Sequence, residues 1–590
     1  MTSGKRGRRL GALLALALAA LLAGCAAPAL PGQQQRQAPK PLPEAEQVAR
    51  VAMLGRGAGD FARMLDPGEA NFYSVAGAQV LSLLYSGLLT LDARHIPVSA
   101  LATSYEVSAD GLRYTFHLRS DARFAEGTPL TSADVAFSLN RTMGECFGDA
   151  GAFFMAVKDE PALVANCQSH PKGYRAAVTT LIGDALLTPD ETTLVIILAR
   201  PDAALAAKLA EPYSLIVERS LVTRYGAQWT AHVADGGGQG TSGMYALAAM
   251  RPWSAQSDGA LVLEASRDYW GPRPHLREVD IAVRSPISQQ GTFPASDVRP
   301  PAIAIQPTDD IVYDVPLPLP SGAKGRNGLT YHTAPALATY FLVLDARTAP
   351  LDDARVRQAL ALALDKTALA KIVNGVATDH LIPLGVGAYP APLSGAIATA
   401  PLAGDVERAR ALWRSYAASH CSGMAGGCPA IQVFSPEWAG QTPVELAIIA
   451  RWRATLPGLR LSVISYDGTL RTTPQPSPAV MGSAWVEDYA DPQDWLTYLV
   501  SAPGNPVYSF PARVQDARVG ALAAQAEATL DAGARLALYQ QAEDALINDA
   551  VVIPIAQEQT AWAVNPILAG IPTSPAPWIP PAAWARIALT

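Results

Sequence analysis

From Leu65 onward, runs that alternate apolar and polar residues are interleaved with stretches whose apolar residues recur every three or four positions. SYEVSADGLRYTFHLR (104–119) alternates on either side of Asp110-Gly111, which predicts two strands joined by a tight turn. After a Thr128-Pro129 turn, Ser132-Ala133-Asp134-Val135 opens a helix with Val135, Leu139 and Met143 on one face. Further strands are predicted at Thr193 to Leu198, Ala260 to Ala265, Val279 to Val283 and in YFLVLDA (340–346). DDARVRQALALALDKTALAKIV (352–373) predicts a helix with Val356, Leu360 and Leu364 aligned, and two more helices cover 516–530 and 534–549. The 285–330 segment is dense in Pro, Ser and Gly and predicts loops or an irregular crossing. No repeat with a period of 20 to 50 residues is present, which argues against a solenoid or propeller.

The start of the chain has a different pattern. Lys5, Arg6, Arg8 and Arg9 precede an apolar run from Leu10 to Leu22 that ends in Leu22-Ala23-Gly24-Cys25. This is the layout of a secretory signal (1–24), and the run is shorter than the roughly 20 residues that span a bilayer. Leu-Ala-Gly-Cys resembles the bacterial lipobox, so Cys25 is expected to carry a diacylglycerol; plain cleavage is the alternative. Residues 25–47, rich in Pro and Gln, read as a tether of up to roughly 60–70 Å if polyproline-like at about 3.1 Å per residue.

Composition narrows the partners. Removing the four basic residues of the signal leaves 41 basic and 52 acidic residues, a net charge of −11. An acidic body with no basic stripe is not drawn to nucleic acid, and its only expected membrane contact is through the lipid. Cys146, Cys167, Cys421 and Cys428 are an even number in an exported chain, where disulfides persist. Local pairing, Cys146 with Cys167 and Cys421 with Cys428, is the simplest arrangement; buried free thiols remain the alternative.

Several segments in order resemble the peptide and nickel solute-binding family of bacterial ABC importers (family 5). They are LDP (65–67), LLYSGLLTLD (83–92), the long run ATSYEV to SLNR (102–141), GTSGMYAL (240–247), ASRDYWGPRPHLREVDI (265–281), LDDARVRQALALALDK (351–366), WVEDYADPQDWL (485–496) and IPIAQEQTAW (553–562). The resemblance implies an α/β, two-lobed periplasmic-binding-protein-like fold (type II, cluster C) with an extra inserted domain and a hinge. It places lobe I at 48–95, 175–330 and 550–590, the inserted domain at 96–174 and lobe II at 331–549. It further implies a monomer that needs no cofactor, captures a peptide or other small solute and delivers it to ABC permease subunits with their ATPases.

In peptide-binding members, the motif matching Trp485 to Tyr489 supplies an aspartate that pairs with the ligand's free amine. That residue here is Asp488. A carboxylate enclosed with an ammonium forms a charge-assisted hydrogen bond; the structural alternative is that Asp488 only caps the chain before Asp491-Pro492. Trp485 and Tyr489 are candidate walls or core residues, and Glu487, Phe72, Tyr73, Phe153 and Phe154 are further ligand candidates. Some oligopeptide binders carry a basic residue before this tryptophan, whereas this chain has Met481, Gly482, Ser483 and Ala484.

Competing activities lack their residues. There is no GxSxG or HExxH, and histidines such as His117, His232 and His380 are scattered. GGGQGTSG (236–243) lacks the Gly-Lys-Ser/Thr ending of a phosphate loop. An enzyme is therefore not expected. A different cargo (a nickel chelate, a cell-wall peptide, an oligosaccharide) and a peptide-sensing lipoprotein remain alternatives on the same fold.

Overall fold

Strand β1 (Val48–Leu54) buries Ala49, Val51, Ala52 and Met53, so both of its faces are covered, as in the interior of a sheet. It belongs to a computed structural model that describes residues 41–54, 65–69, 75–144, 153–162, 180–251, 259–284, 305–313, 315, 328–386, 392–424, 427–436, 442–466, 479–500, 517–572 and 579–590. The candidates Cys25, Phe72, Tyr73, Cys146 and Cys167 lie outside the described residues.

A four-stranded antiparallel sheet follows. It is built from β2 (Ala102–Val107), β3 (Arg113–Leu118), β4 (Leu186–Asp190) and β5 (Thr193–Ile197), in the order β2-β3-β5-β4. Gly111 adopts φ 70° in the β2–β3 turn and its N–H donates to Ser108 O at 2.8 Å, which is why the turn calls for glycine. Tyr114, Phe116 and Leu118 point into the core from alternate positions of β3. The sheet runs on to Ile197, because β5 pairs with β3 across a long excursion of chain and β4 then adds beside β5.

Helix Ser132–Gly144 packs on this sheet through Val135, Leu139 and Met143. Its start is fixed by Asp134, whose carboxylate accepts from the Thr131 amide (3.0 Å) and hydroxyl (2.8 Å). Arg141 near its end forms a two-pronged ion pair with Asp66, which also accepts from the Trp229 indole at 3.3 Å. Two of the recognised motifs, LDP and SLNR, thus brace one another.

The large sheet takes its remaining strands from along the chain: β6 (Tyr245–Arg251), β7 (Gly259–Ala265), β8 (Glu278–Arg284), β9 (Ile311–Val312), β10 (Thr330–Leu344), β11 (Ile431–Pro436), β12 (Leu461–Tyr466), β13 (Val480–Val486) and β14 (Val552–Val564). Their order is β12-β11-β13-β10-β14-β9-β1-β8-β7-β6, with Val376–Ala377 pairing beside β14. One core collects on β1 and β6 to β8 together with the chain end, and a second on the C-terminal half of β10 with helices Ala354–Leu362, Val406–His420 and Thr442–Thr455. Each large buried side chain, such as Trp229 in the first core or Trp452 in the second, contributes roughly 1.5–3 kcal/mol.

Among the described residues, the sheet runs between the two regions through the long pair β10 and β14. Ala338–Leu344 of β10 pairs with β13, and Ala563–Val564 of β14 pairs with β9. Between these ends the β10–β14 register slips, once between Pro335 and Thr339 and again between Tyr340 and Phe341. Pro335 has no N–H to give the ladder, so the break falls where the backbone bonding is weakest.

One expected helix is two. The 352–373 stretch forms Ala354–Leu362 and Lys366–Ile372, because the Asp365 carboxylate accepts the Ala368 amide at 2.9 Å and caps a new helix. Arg357 donates to the carbonyls of Asp549 and Leu351, both at 2.8 Å, so it ties elements together. Cys421 and Cys428 are joined by a disulfide (S–S 2.03 Å).

Candidate ligand-binding site

The WVEDYADPQDWL segment begins at the end of β13 and enters helix Gln493–Val500. Asp494, at the start of that helix, accepts the Asp488 amide at 2.8 Å, and the Trp485 indole is directed at the same carboxyl. The Glu487 amide donates to Leu337 O of β10 at 2.9 Å, extending the β10–β13 pairing by one bond. These bonds set the turn Asp488–Ala490, with the Asp488 side chain half-buried and Tyr489 buried.

Around the turn stands an aromatic nest from distant parts of the chain. Phe153 meets Tyr489 edge-on (centroids 5.6 Å apart) and stacks on Tyr213 (5.6 Å), while Phe154 meets Tyr213 edge-on at 5.9 Å. Lys208 Nζ lies 4.9 Å from the centre of the Tyr489 ring. The structure therefore brings together five of the sequence candidates, Trp485, Asp488, Tyr489, Phe153 and Phe154. The aromatic ones among them are packed within one core. Glu487 turns to His95, whose Nδ1 is 3.3 Å from Glu487 Oε1.

Several buried carboxyl groups gather here. Lys208 pairs with Asp202 at 2.7 Å and Arg535 with Asp491 at 2.7 Å, and Gln493 Nε2 donates to Asp202 at 3.2 Å. Glu487 and Asp494 stand near Glu211, and His95 Nδ1 lies 3.3 Å from Glu487 Oε1. Burial pushes the Glu211 carboxyl well above the usual range, reinforced by Glu487 and Asp494. Burial likewise raises Asp494, against the pull of the Asp488 amide and the Trp485 indole. Glu160, fully buried nearby with neither carboxyl oxygen hydrogen-bonded, is pushed up to about 8 by burial, opposed by Lys208. A cation entering such a site favours ionisation of these raised carboxyls, because charges interact far more strongly there than at the surface.

Sequence reasoning did not single out Glu211, Lys208, Asp494 or His95. The available signal was Lys208 and Glu211 standing alone in the otherwise charge-free ALAAKLAEPYSLIV (204–217). His95 is placed by φ 59° in the Asp92–Ile96 turn, which sequence does not announce.

The basic residue that is missing before Trp485 has a steric counterpart. A Cβ on Gly482 would collide with the Tyr340 hydroxyl and lie 2.8 Å from Glu445 Oε1, and those two groups are themselves hydrogen-bonded at 2.7 Å. The Gly-rich 236–243 stretch is scaffold: Gly243 lies flat on the Leu83–Tyr85 backbone and donates to Leu84 O at 2.8 Å. His232 stacks on Tyr225 and His380 faces Glu543, and no metal-ligating cluster occurs among the described residues. A separate cavity of about 520 Å³, lined mainly by apolar side chains with Trp270 and Tyr269, lies on the other side of the Ala210–Pro212 segment.

Solved structures share this architecture. The murein tripeptide binding protein MppA in its unliganded open form superposes with a TM-score of 0.70 at 21% identity, covering 92% of this chain and 97% of that one. The mixed α/β architecture is that of the periplasmic binding proteins. Residues 97–506 match the bacterial extracellular solute-binding proteins, family 5, and the chain belongs to that family. The periplasmic oligopeptide-binding protein OppA of Escherichia coli K12 is 24% identical over 536 residues, 90% of this chain and 91% of that protein. The glutathione-binding protein GsiB of Escherichia coli O1:K1 is 25% identical over 528 residues, 88% and 90% of the two chains. The chain is accordingly a non-catalytic, extracytoplasmic solute-binding protein of ABC import.

Proposed function

We propose that this protein captures peptides with a free amino terminus between its two lobes and hands them to an ABC permease. The observation that supports the reading is Asp488, its amide bound by Asp494 just past the end of β13, with the buried carboxyls of Glu211 and Asp494 close by. An incoming ammonium forms a charge-assisted bond with the Asp488 carboxylate. The relatives bind oligopeptides, glutathione or a murein tripeptide, cargoes of different length. A side chain at Gly482 would meet Tyr340 and Glu445, and Met481, Ser483 and Ala484 are uncharged, so this stretch carries no basic anchor before Trp485.

The β10–β14 pair, with its slipped register, serves as the hinge between lobe I (48–95, 175–330, 550–590) and lobe II (331–549). A ligand touching both lobes binds the closed form better and so shifts the population towards it. The mature chain begins at a lipidated Cys25 and acts as a monomer on its tether; Cys25→Ser releases it from membranes.

Thermal unfolding with panels of free and N-acetylated peptides, oligosaccharides and nickel chelates tests the cargo. A true ligand at 100 times its Kd adds about 2.7 kcal/mol. Stabilisation by free-amine peptides alone is expected, and stabilisation only by sugars or chelates refutes the peptide assignment. Recovery of a sensor protein without a permease in affinity capture would replace import by signalling.

A further inference from the structure

The cavity of about 520 Å³ beyond the Ala210–Pro212 segment has the size of a small-molecule site, whereas packed interiors hold few voids larger than a water. Its wall is assembled from separate stretches of chain, 82–100, 210–215, Met244, 269–275 and 581–586. No residue of the WVEDYADPQDWL segment lines it, so it is distinct from the Asp488 turn.

Its deep end is apolar and preformed. Tyr85, Leu89, Ala210, Leu215 and Met244 are buried in the wall. Polar groups on the same wall already have partners: Ser82 Oγ donates to Gln79 O at 2.9 Å, Tyr85 OH to Leu65 O at 2.9 Å, Ser86 Oγ to Ser242 O at 2.8 Å and Trp270 Nε1 to Ser86 Oγ at 3.0 Å. The Trp270 ring is also fixed by Arg119, whose guanidinium carbon lies 4.2 Å from the ring centre. A wall whose donors are spent holds water poorly and accepts apolar groups.

The open end is cationic. The charged residues in the lining are Arg273 and Arg586, joined by His275, and all three are exposed. No aspartate or glutamate lines the cavity, although the whole chain carries a net charge of −7. Arg586 makes no ion pair among the described residues. Arg273 meets Glu44 at 2.7 Å, but with side chains 71% and 67% exposed this pair exchanges for another anion at little cost.

We propose that this cavity is a second binding site, which takes a small amphipathic acid: an apolar body against Trp270, Leu215 and Met244, and an anionic head at the mouth with Arg273 and Arg586. It goes beyond the peptide reading and does not depend on it. A purely apolar guest would leave both arginines unused, and a cationic one would be repelled by them.

Fluorine NMR of 5-fluorotryptophan-labelled protein, with Trp270 assigned from Trp270→Phe, reads the site directly. Titration with 1-naphthaleneacetate should shift the Trp270 resonance and saturate with a Kd on the order of 1 mM or tighter, the range open to a ligand of this size. 1-Naphthaleneethanol, which exchanges the carboxylate for a hydroxyl, should bind roughly fivefold more weakly. The double variant Arg273→Gln/Arg586→Gln should lose that preference. Val98→Trp, which adds an indole to the cavity from the half-buried strand Pro97–Ser99, should abolish the shift for both compounds. Asp488→Asn should bind the acid as the wild type does. An unmoved Trp270 resonance, equal binding of acid and alcohol, a preference that persists in the double variant, or binding that survives in folded Val98→Trp overturns the proposal. Loss of acid binding in Asp488→Asn also overturns it, by placing the acid at the Asp488 turn. Both arginines are exposed, so the charge test stands even where Val98→Trp does not fold.

Discussion

Replacing Arg535 by Met removes the only guanidinium that answers Asp491 among the described residues, leaving a carboxylate 6% exposed in its side chain beside Asp202. Burial already raises Asp491, and Arg535 is the strongest influence holding it down. Breaking one side of a buried pair costs about 3–5 kcal/mol. The Gln493 amide still donates to Asp491 at 3.0 Å, which places the loss near the lower end, about 3 kcal/mol at pH 8. With an unfolding entropy of about 2.1 cal/mol/K per residue over roughly 550 residues, this is a fall in Tm of about 2–3 °C for cooperative unfolding. In the variant the folded-state carboxyl is raised above its unfolded value, so lost stability returns as the pH falls and Asp491 takes up a proton. Urea denaturation at pH 8 and pH 5, with the double variant Asp491→Asn/Arg535→Met, closes the cycle. The double variant should recover most of the loss at pH 8. A single variant as stable as the wild type at pH 8, or a double variant no better than the single, refutes the reasoning.

Glu160→Gln should change little at pH 5 and stabilise the protein by on the order of 2–4 kcal/mol at pH 9, because the native carboxyl, raised to about 8 from 4.5, loses its stabilising proton across that interval; equal stability of the two proteins at pH 9 contradicts this. Gly482→Ala should cost about 1–3 kcal/mol in chemical denaturation, since its Cβ enters the Tyr340–Glu445 hydrogen bond, and a neutral result would mean that β13 shifts freely there.

Local chemistry was readable in the sequence wherever one segment decided it. The Asp110-Gly111 hairpin and the helix at Ser132 follow from turn and cap residues within a few positions of each other. The break at Asp365 was also local but hidden, since the apolar spacing of Val356, Leu360 and Leu364 continues into it while the aspartate side chain captures the Ala368 amide. Long-range pairing was not readable. Nothing near Leu186 says that β4 and β5 complete a sheet begun at Ala102. Asp488, Trp485 and Tyr489 stand out as candidates because they lie together in one motif. Glu211, His95 and Lys208 reach the same place through tertiary packing, and their spacing along the chain carries no trace of it.

The central claim is that Asp488 receives the ligand's ammonium. Calorimetric titration of trialanine and N-acetyl-trialanine into the wild type and Asp488→Asn tests it most directly. Losing one partner of an enclosed charge pair costs about 2–5 kcal/mol, or about 30-fold to several thousandfold in Kd. Acetylation should therefore weaken wild-type binding by at least about 30-fold and cost the Asp488→Asn protein far less. Equal binding of both peptides by the wild type, or an undiminished acetylation penalty in Asp488→Asn, would contradict the claim.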